Sequence, residues 1–375
     1  MKIVKKIIYL LWRLSREVLF RTKFRALSSS AAGETPGSDT LQNHRAIWRR
    51  LTRFPSTRYC RLYSSISGIA SPLYVPENIY YIAIEPVLNN KAFTGAYCDK
   101  NFYERYLPSF KGVFPYTILR GINGVITDKD YRPIALEETV SHVSAGSSYI
   151  LKPAVGSSGG KDILLLHYDG REFTSGSESF SPGRFIKLLG ERYENSFLLQ
   201  QKISQHPWFA AFNSSSLNTV RVVTYREMNS NTIVPLQAVL RFGREGSVVD
   251  NLASGGLACG VSGYGQPGNF AVDKWGNRYD DNSTLKKVGG EAVPCFEKMQ
   301  DLANAIAASY PYHRLLAFDM TLDSAGKVRL LEVNGKNIEI NFIQMTNGPL
   351  FREFTEEVIE YCRYGRRSVV FDYTI

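Results

Sequence analysis

The sequence is poor in the features that mark secreted scaffolds, zinc proteins and membrane-spanning chains. Its five cysteines (Cys60, Cys98, Cys259, Cys295 and Cys362) are scattered, with no CxxC pair. An odd, dispersed set argues against a disulfide framework or a thiolate zinc site, and for a reducing compartment. The five histidines are equally dispersed and show no metal-ligand spacing. No internal repeat and no nucleophilic triad stands out. Acidic charge is in deficit, with 35 Asp and Glu against 45 Lys and Arg, a net charge of +10. That balance favours an anionic partner: a nucleotide, a phosphorylated or acidic sugar, nucleic acid, or an anionic membrane face. What is present is enough apolar residue, 44% hydrophobic and 13% aromatic over 375 residues, for two or three domains with real cores.

Residues 1–27 carry eight Lys and Arg and one Glu. Val4, Ile7, Ile8, Leu11, Leu14 and Val18 follow helical spacing. The longest uncharged apolar run here, Ile7 to Trp12, is too short to span a bilayer and short for a signal-peptide core. A basic amphipathic helix of this kind either lies on an anionic membrane surface or packs on its own domain. Residues 1–43 therefore read as that helix and a linker, Ser28 to Asn43 being small and polar with Gly and Pro. Residues 44–110 read as an N-terminal subdomain. His44 to Arg61 interleaves arginine with aromatics, which is more often the outer face of a helix than a nucleic-acid surface. Tyr80 to Ile84 reads as a strand, and Asp99 to Tyr106 as a helix capped by Asp99.

Residues 111–203 read as a central subdomain. Tyr149 to Pro153 is a buried strand carrying Lys152, followed by Gly156-Ser157-Ser158-Gly159-Gly160 and a second strand, Lys161 to Tyr168. The glycine loop fails the P-loop template, because Val155 stands at the first required glycine and Asp162 where Ser or Thr is needed. The strand-to-helix order of a dinucleotide fingerprint is absent too. The loop is a hairpin tip, either structural or able to lay backbone N–H groups over phosphates, with Lys152 as a point charge beside it. Phe197 to Ile203 is a strand with a polar end.

Residues 204–375 read as a C-terminal subdomain. Leu217 to Arg226 and Val234 to Phe242 are strands; in the second, Leu236, Ala238, Leu240 and Phe242 share one face and Gln237 and Arg241 the other. Arg221 and Arg241 are buried-strand arginines, each needing a carboxylate partner or a bound anion. Val249 to Cys259 reads as a loop, and Phe296 to Tyr310 and Pro349 to Tyr364 as helices. The informative stretch is Leu315 to Asn341, two apolar-rich runs around Ser324-Ala325-Gly326-Lys327, a hairpin signal. A two-residue loop at Ala325-Gly326 places Asp319 opposite Glu332, with Asn334 on the same face. Two facing carboxylates repel. Either a divalent cation such as Mg²⁺ relieves them, or they are a solvated pair on an exposed hairpin.

In this order the parts resemble the ATP-grasp superfamily, over roughly residues 80–355. The pieces LKPAVGSSGGK and DMTLD…LLEVNGK are the specific ones. The chain looks closest to the sugar-transfer-associated group, with echoes of glutamate ligases in LNTVRVVTY and VDNLASGGLA. The resemblance implies an α+β fold in which two subdomains grip ATP between antiparallel sheets. It implies that Lys100 and Lys152 hold the nucleotide phosphates and that Gly156 to Gly160 form a flap over them. Gln200, Gln201, Lys202 and Ile203 would form the adenine hinge. Arg221 and Arg241 would hold phosphate or an acyl phosphate. Asp319, Glu332 and Asn334 would ligate two Mg²⁺ ions, with Mn²⁺ as a substitute.

Three departures stand against that pattern. Gln201 replaces a glutamate that reads the adenine amino group in many members, Ala317 stands where D-alanine–D-alanine ligases carry an arginine, and no residue matches the ribose-binding acid. The implied activity is ATP-dependent joining of a carboxylate to an amine through an acyl phosphate, on a small molecule or glycan in surface polysaccharide assembly. The implied place is the cytoplasm, with peripheral contact on the inner membrane face. The rivals are an ATP-grasp phosphotransferase and a non-catalytic nucleotide-binding scaffold.

Overall fold

The computed structural model describes residues 2–27, 35–155, 162–194, 196–247, 250–280, 285, 290–365 and 367. The glycine loop expected at Gly156 to Gly160 lies outside the described residues, as does Lys161. Within them the chain is α+β, with two seven-stranded antiparallel sheets.

The first sheet contains β1 (Thr117–Ile122), β2 (Val125–Asp128), β3 (Ser147–Pro153), β4 (Leu164–Tyr168), β5 (Phe173–Ser175), β6 (Glu178–Phe180) and β7 (Phe197–Gln201), in the order β2-β1-β7-β3-β4-β5-β6. One face is closed by helix Pro182–Tyr193, capped by Ser181, whose hydroxyl accepts from Arg184 N–H at 3.3 Å. Phe185, Leu188 and Leu189 on that helix bury against Phe173, Leu151 and Leu199. Each such side chain taken out of water is worth roughly 1.5–3 kcal/mol, so this small sheet carries a core of its own.

The second sheet contains β8 (Thr219–Arg226), β9 (Ile233–Phe242), β10 (Leu257–Val261), β11 (Pro267–Val272), β12 (Arg278–Tyr279), β13 (Leu315–Leu322) and β14 (Val328–Asn334), in the order β12-β11-β10-β9-β8-β13-β14. Both faces are covered, so β8 and β13 are buried almost throughout. Helix Phe296–Ala308 packs Met299, Ala303 and Ile306 on one face, against Val220, Leu240 and Phe318. The other face receives Trp48, Tyr63 and Ile84 from the N-terminal helices, packed with Val223, Tyr225 and Val239. Residues 41–88 thus share their core with the C-terminal sheet.

Several local expectations are corrected. Residues 38–43, expected in the linker, open helix Ser38–Trp48. Tyr80–Ile84, expected as a strand, is a π-helical segment within a helix running from Glu77 to Leu88. Pro86 donates no hydrogen bond and crowds the carbonyl four residues back, so the turn before it widens and Glu85 N–H reaches Tyr80 O. Leu236 lies on the opposite face from Ala238, Leu240 and Phe242, because a bulge beside Pro235 shifts register between Val223 and Thr224. Leu257 to Cys259, expected in a loop, begin β10. Arginines 45, 49, 53, 58 and 61 are exposed while Trp48 and Tyr59 are buried, so these aromatics serve the core.

Candidate active site

A cleft of about 1230 Å³ opens between the two sheets. Ile150, Lys152 and Gln200 line one wall, and Arg221, Asp319 and Glu332 line the other. The hairpin β13–β14 sets the second wall. Asp319 does pair with Glu332, but the turn is not the one expected. Near the tip the pairing is Leu322 with Val328, and the loop is Ser324-Ala325-Gly326, with Gly326 at φ 74°. Gly326 N–H returns to Asp323 O, as in a type I turn closed by a left-handed residue. A bulge at Leu331 then shifts register by one, which restores the expected pairing from Asp319 to Ala317. Asn334 joins the same face, opposite Ala317.

Across strands β8, β13 and β14, Arg221, Asp319 and Glu332 form one row. Arg221 clamps Asp319 in two parallel bonds, Nε to Oδ1 at 2.7 Å and Nη2 to Oδ2 at 2.9 Å. Arg241 adds Nη1 to Oδ2 at 3.1 Å. Glu332 meets Lys100 Nζ at 2.7 Å. Cations of the protein itself face this carboxylate pair, and Asp319 is buried, so the alternative of a solvated pair on an exposed hairpin is corrected. The same bonds decide the question of the buried arginines, which have carboxylate partners. Burial alone would raise the Asp319 pKa, but the two guanidinium groups hold it down at about 2.

Lys100 opens a 3₁₀ turn capped by Asp99, whose carboxylate accepts from Asn101 N–H at 2.9 Å. Its own N–H donates to Ala154 O at 3.1 Å, tying it to the end of β3 and so to Lys152. Lys152 is 9% exposed. Burial, then the neighbouring Lys100, press its pKa down to about 7 against the pull of Glu332. Among the described residues its ammonium makes no hydrogen bond or ion pair, while its backbone lies in the β3–β7 ladder opposite Leu198.

The four-residue hinge is also brought to the cleft. Gln200 Nε2 donates to Thr117 Oγ1 at 3.0 Å, Gln201 N–H to Tyr116 O at 2.8 Å, and Lys202 N–H to Ser148 O at 3.0 Å. Among the described residues neither backbone group of Ile203 is hydrogen-bonded, and Ile203 lines the cleft.

Three supports were not read from the sequence. Asp250 and Asn251 hold Arg241 from behind, the first at 3.5 Å. Asn89 ties the two ends of the hairpin, donating to Leu315 O at 2.7 Å and Gly335 O at 2.8 Å. Gly256 packs so closely that a Cβ there would stand 2.2 Å from Asp250 O. The paired glycine in VDNLASGGLA was the available signal for the third.

The sequence pattern of the sugar-transfer associated ATP-grasp family matches residues 84–359. The chain belongs to that family. The match runs from the helix that carries Glu85 through both sheets and both lysines to the hairpin. No curated protein matches the chain. Among solved structures, it is similar to the ATP-grasp ligase PsnB complexed with a minimal precursor, at 13% identity over 73% of this chain and 64% of that one, with a TM-score of 0.37. It is similar to D-alanyl-alanine synthetase A from Vibrio cholerae O1, at 14% identity over 72% and 65%, with a TM-score of 0.38. It is similar to an L-amino acid ligase from Bacillus licheniformis, at 10% identity over 74% and 50%, with a TM-score of 0.39. The chain spans less than two thirds of the length of each.

The oxygen donors present suit a hard cation only in part. Among the described residues no three His, Cys, Asp or Glu side chains converge as a metal cage. A carboxylate offers about four lone-pair directions, and Asp319 spends three on guanidinium N–H groups and accepts a fourth, longer bond from Asn334 Nδ2 at 3.4 Å. Glu332 is more open, its side chain 31% exposed, and Asn334 lies beside it. This is the sparse set that Mg²⁺ accepts when phosphates and water complete its shell.

Proposed function

We propose that the protein is an ATP-dependent ligase that activates a carboxylate and passes it to an amine. The observation that carries this reading is the convergence of Lys100, Lys152, Arg221 and Arg241 on one cleft between two antiparallel sheets, facing Glu332 and Asn334. Lys152 and Lys100 would neutralise a triphosphate, and the unpaired backbone groups of Ile203 would meet a base. Glu332 and Asn334, beside Asp319, would hold one or two Mg²⁺ or Mn²⁺ ions. Such an ion supplies charge neutralisation at the phosphate oxygens.

The substrate carboxylate oxygen attacks the γ-phosphorus and ADP leaves, giving an acyl phosphate. The amine nitrogen then attacks the acyl carbon, inorganic phosphate leaves, and the nitrogen releases a proton. Both steps ask mainly for positioning and charge neutralisation, which Lys100, Lys152, Arg221 and Arg241 provide. The family's association with sugar transfer supports a glycan or sugar-linked substrate in polysaccharide assembly. The free state of all five cysteines supports the cytoplasm.

The test is ATP turnover with Mg²⁺ against candidate uronic and amino acids, with hydroxylamine as a trap, in wild type and Glu332→Gln. A hydroxamate that disappears in the variant is the expected result. ADP release with a stable phosphorylated product and no hydroxamate would replace the ligase with a phosphotransferase. Nucleotide binding without turnover on any candidate would favour a scaffold.

A further inference from the structure

Helix α1 (Lys2–Ala26) is built the wrong way round for a helix that only packs on its own domain. Its inward face is aromatic and polar: Phe20 stacks on Tyr81 at 5.1 Å, Phe24 meets Tyr59 edge-on at 4.8 Å, and Glu17 accepts from Asn78 at 3.1 Å. Its outward face is apolar. Ile7, Leu11, Leu14 and Val18 recur at helical spacing on the side opposite Phe20 and are 52%, 62%, 62% and 64% exposed. At 1.5 Å per residue this stripe runs about 17 Å. Arg21 and Arg25 continue the same face and are exposed, and residues 1–27 together hold eight cations and one anion. Among the described residues no helix is long and apolar enough to cross a membrane.

We infer that α1 lies in the surface of an anionic lipid bilayer, with the Ile7-Leu11-Leu14-Val18 stripe inserted and Arg21 and Arg25 on the headgroups. An apolar stripe continued by two exposed arginines and turned away from the body matches an interface in which acyl chains meet anionic phosphates. The third side of the helix gives the docking a consequence. Trp12, Arg16, Leu19 and Lys23 line the cleft, so the docked helix sets one wall of that cleft at the bilayer. A substrate carried on a lipid would enter past them. That route rests on the ligase reading, whereas the docking does not.

The experiment is sedimentation of the full chain with vesicles of phosphatidylcholine alone or mixed equally with phosphatidylglycerol, at low and high salt. The double variant Leu11→Asp/Leu14→Asp is run beside wild type. Both positions are solvent-exposed, so the variant is expected to keep the wild-type thermal midpoint. The expected result is binding to the anionic vesicles only, weakened by salt, and at least about tenfold weaker in the variant. Wild type left in the supernatant with both vesicle types would overturn the inference, as would equal binding by the variant. So would a vesicle-free dimer, seen by sedimentation velocity, that the variant dissociates, since the stripe would then cover a second copy of the chain. No turnover enters the readout, so failure of the docking and failure of the ligase reading are separate results.

Discussion

Nucleotide binding should take up a proton at Lys152. Burial and the neighbouring Lys100 set its pKa at about 7, where a lysine in water sits near 10.4. At pH 8 the ratio of neutral to charged side chain is then about ten to one, so roughly 0.9 of the molecules hold a neutral amine. A triphosphate drawn up to Lys152 restores the ammonium, because a nearby anion favours the charged form. About 0.9 proton per ATP should therefore enter from buffer at pH 8, and about half a proton at pH 7. Affinity should fall with rising pH in proportion to 1/(1 + 10^(pH − 7)), about 50-fold between pH 7 and pH 9. Titration calorimetry in two buffers of different ionisation enthalpy counts the protons directly. Lys152→Met should bind more weakly, without that uptake. Equal uptake in wild type and Lys152→Met, or no uptake at pH 8, would refute the reasoning.

Asp319→Ala strands two buried guanidinium groups and should cost about 3–5 kcal/mol in urea unfolding, with Arg221→Met in the same chain recovering part of it. Asp319 has a folded pKa below its unfolded value. Its pairing therefore stabilises fully above about pH 4 and is lost as pH falls through about 2, a loss of about 2 kcal/mol readable in acid unfolding of wild type against Asp319→Asn. Gly256→Ala must displace the Asp250 carbonyl, so a fall of about 1–3 kcal/mol in stability is expected from its thermal midpoint, together with weaker nucleotide affinity as the Asp250-Asn251 strap leaves Arg241.

The sequence announces the hairpin and its three polar residues, but by an argument whose parts were both wrong. A three-residue loop displaced the register by one, and the bulge at Leu331 displaced it back. Apolar alternation could not have shown either, because Leu331 and Glu332 both face away from the core while Leu330 and Val333 flank them in it. The same blindness produced the errors at Leu236, where a bulge beside Pro235 turns the face over, and at Tyr80–Ile84, where five apolar residues suit a strand and a buried helix alike. Lys100 was legible only through family likeness: nothing in CDKNF says that its backbone will be tied to Ala154 and its ammonium set against Glu332. Asp250, Asn251 and Asn89 act from loops across more than two hundred positions in the case of Asn89, a range at which spacing rules say nothing.

The charge arrangement of the cleft says something about how ligands must arrive. Glu332 is engaged by Lys100, and Asp319 by Arg221 and Arg241, while Lys152 is poised at neutrality near pH 7. Among the described residues both Asp319 and Glu332 are thus engaged by cations of the site itself. A divalent ion alone would have to displace Lys100 from Glu332, leaving that ammonium beside Lys152 with no anion between them. A triphosphate alone would attract Lys100 and protonate Lys152, leaving Glu332 facing phosphate. The two together would exchange the Lys100–Glu332 pair for external partners, Lys100 turning to phosphate as Glu332 turned to metal. Asp319 stays with its arginines through that exchange, because its bidentate clamp at 2.7 and 2.9 Å is the part of the site that also holds the sheet together. Under the proposed function the row Arg221, Asp319, Glu332 would divide its work by position, the buried end keeping the fold and the open end exchanging partners.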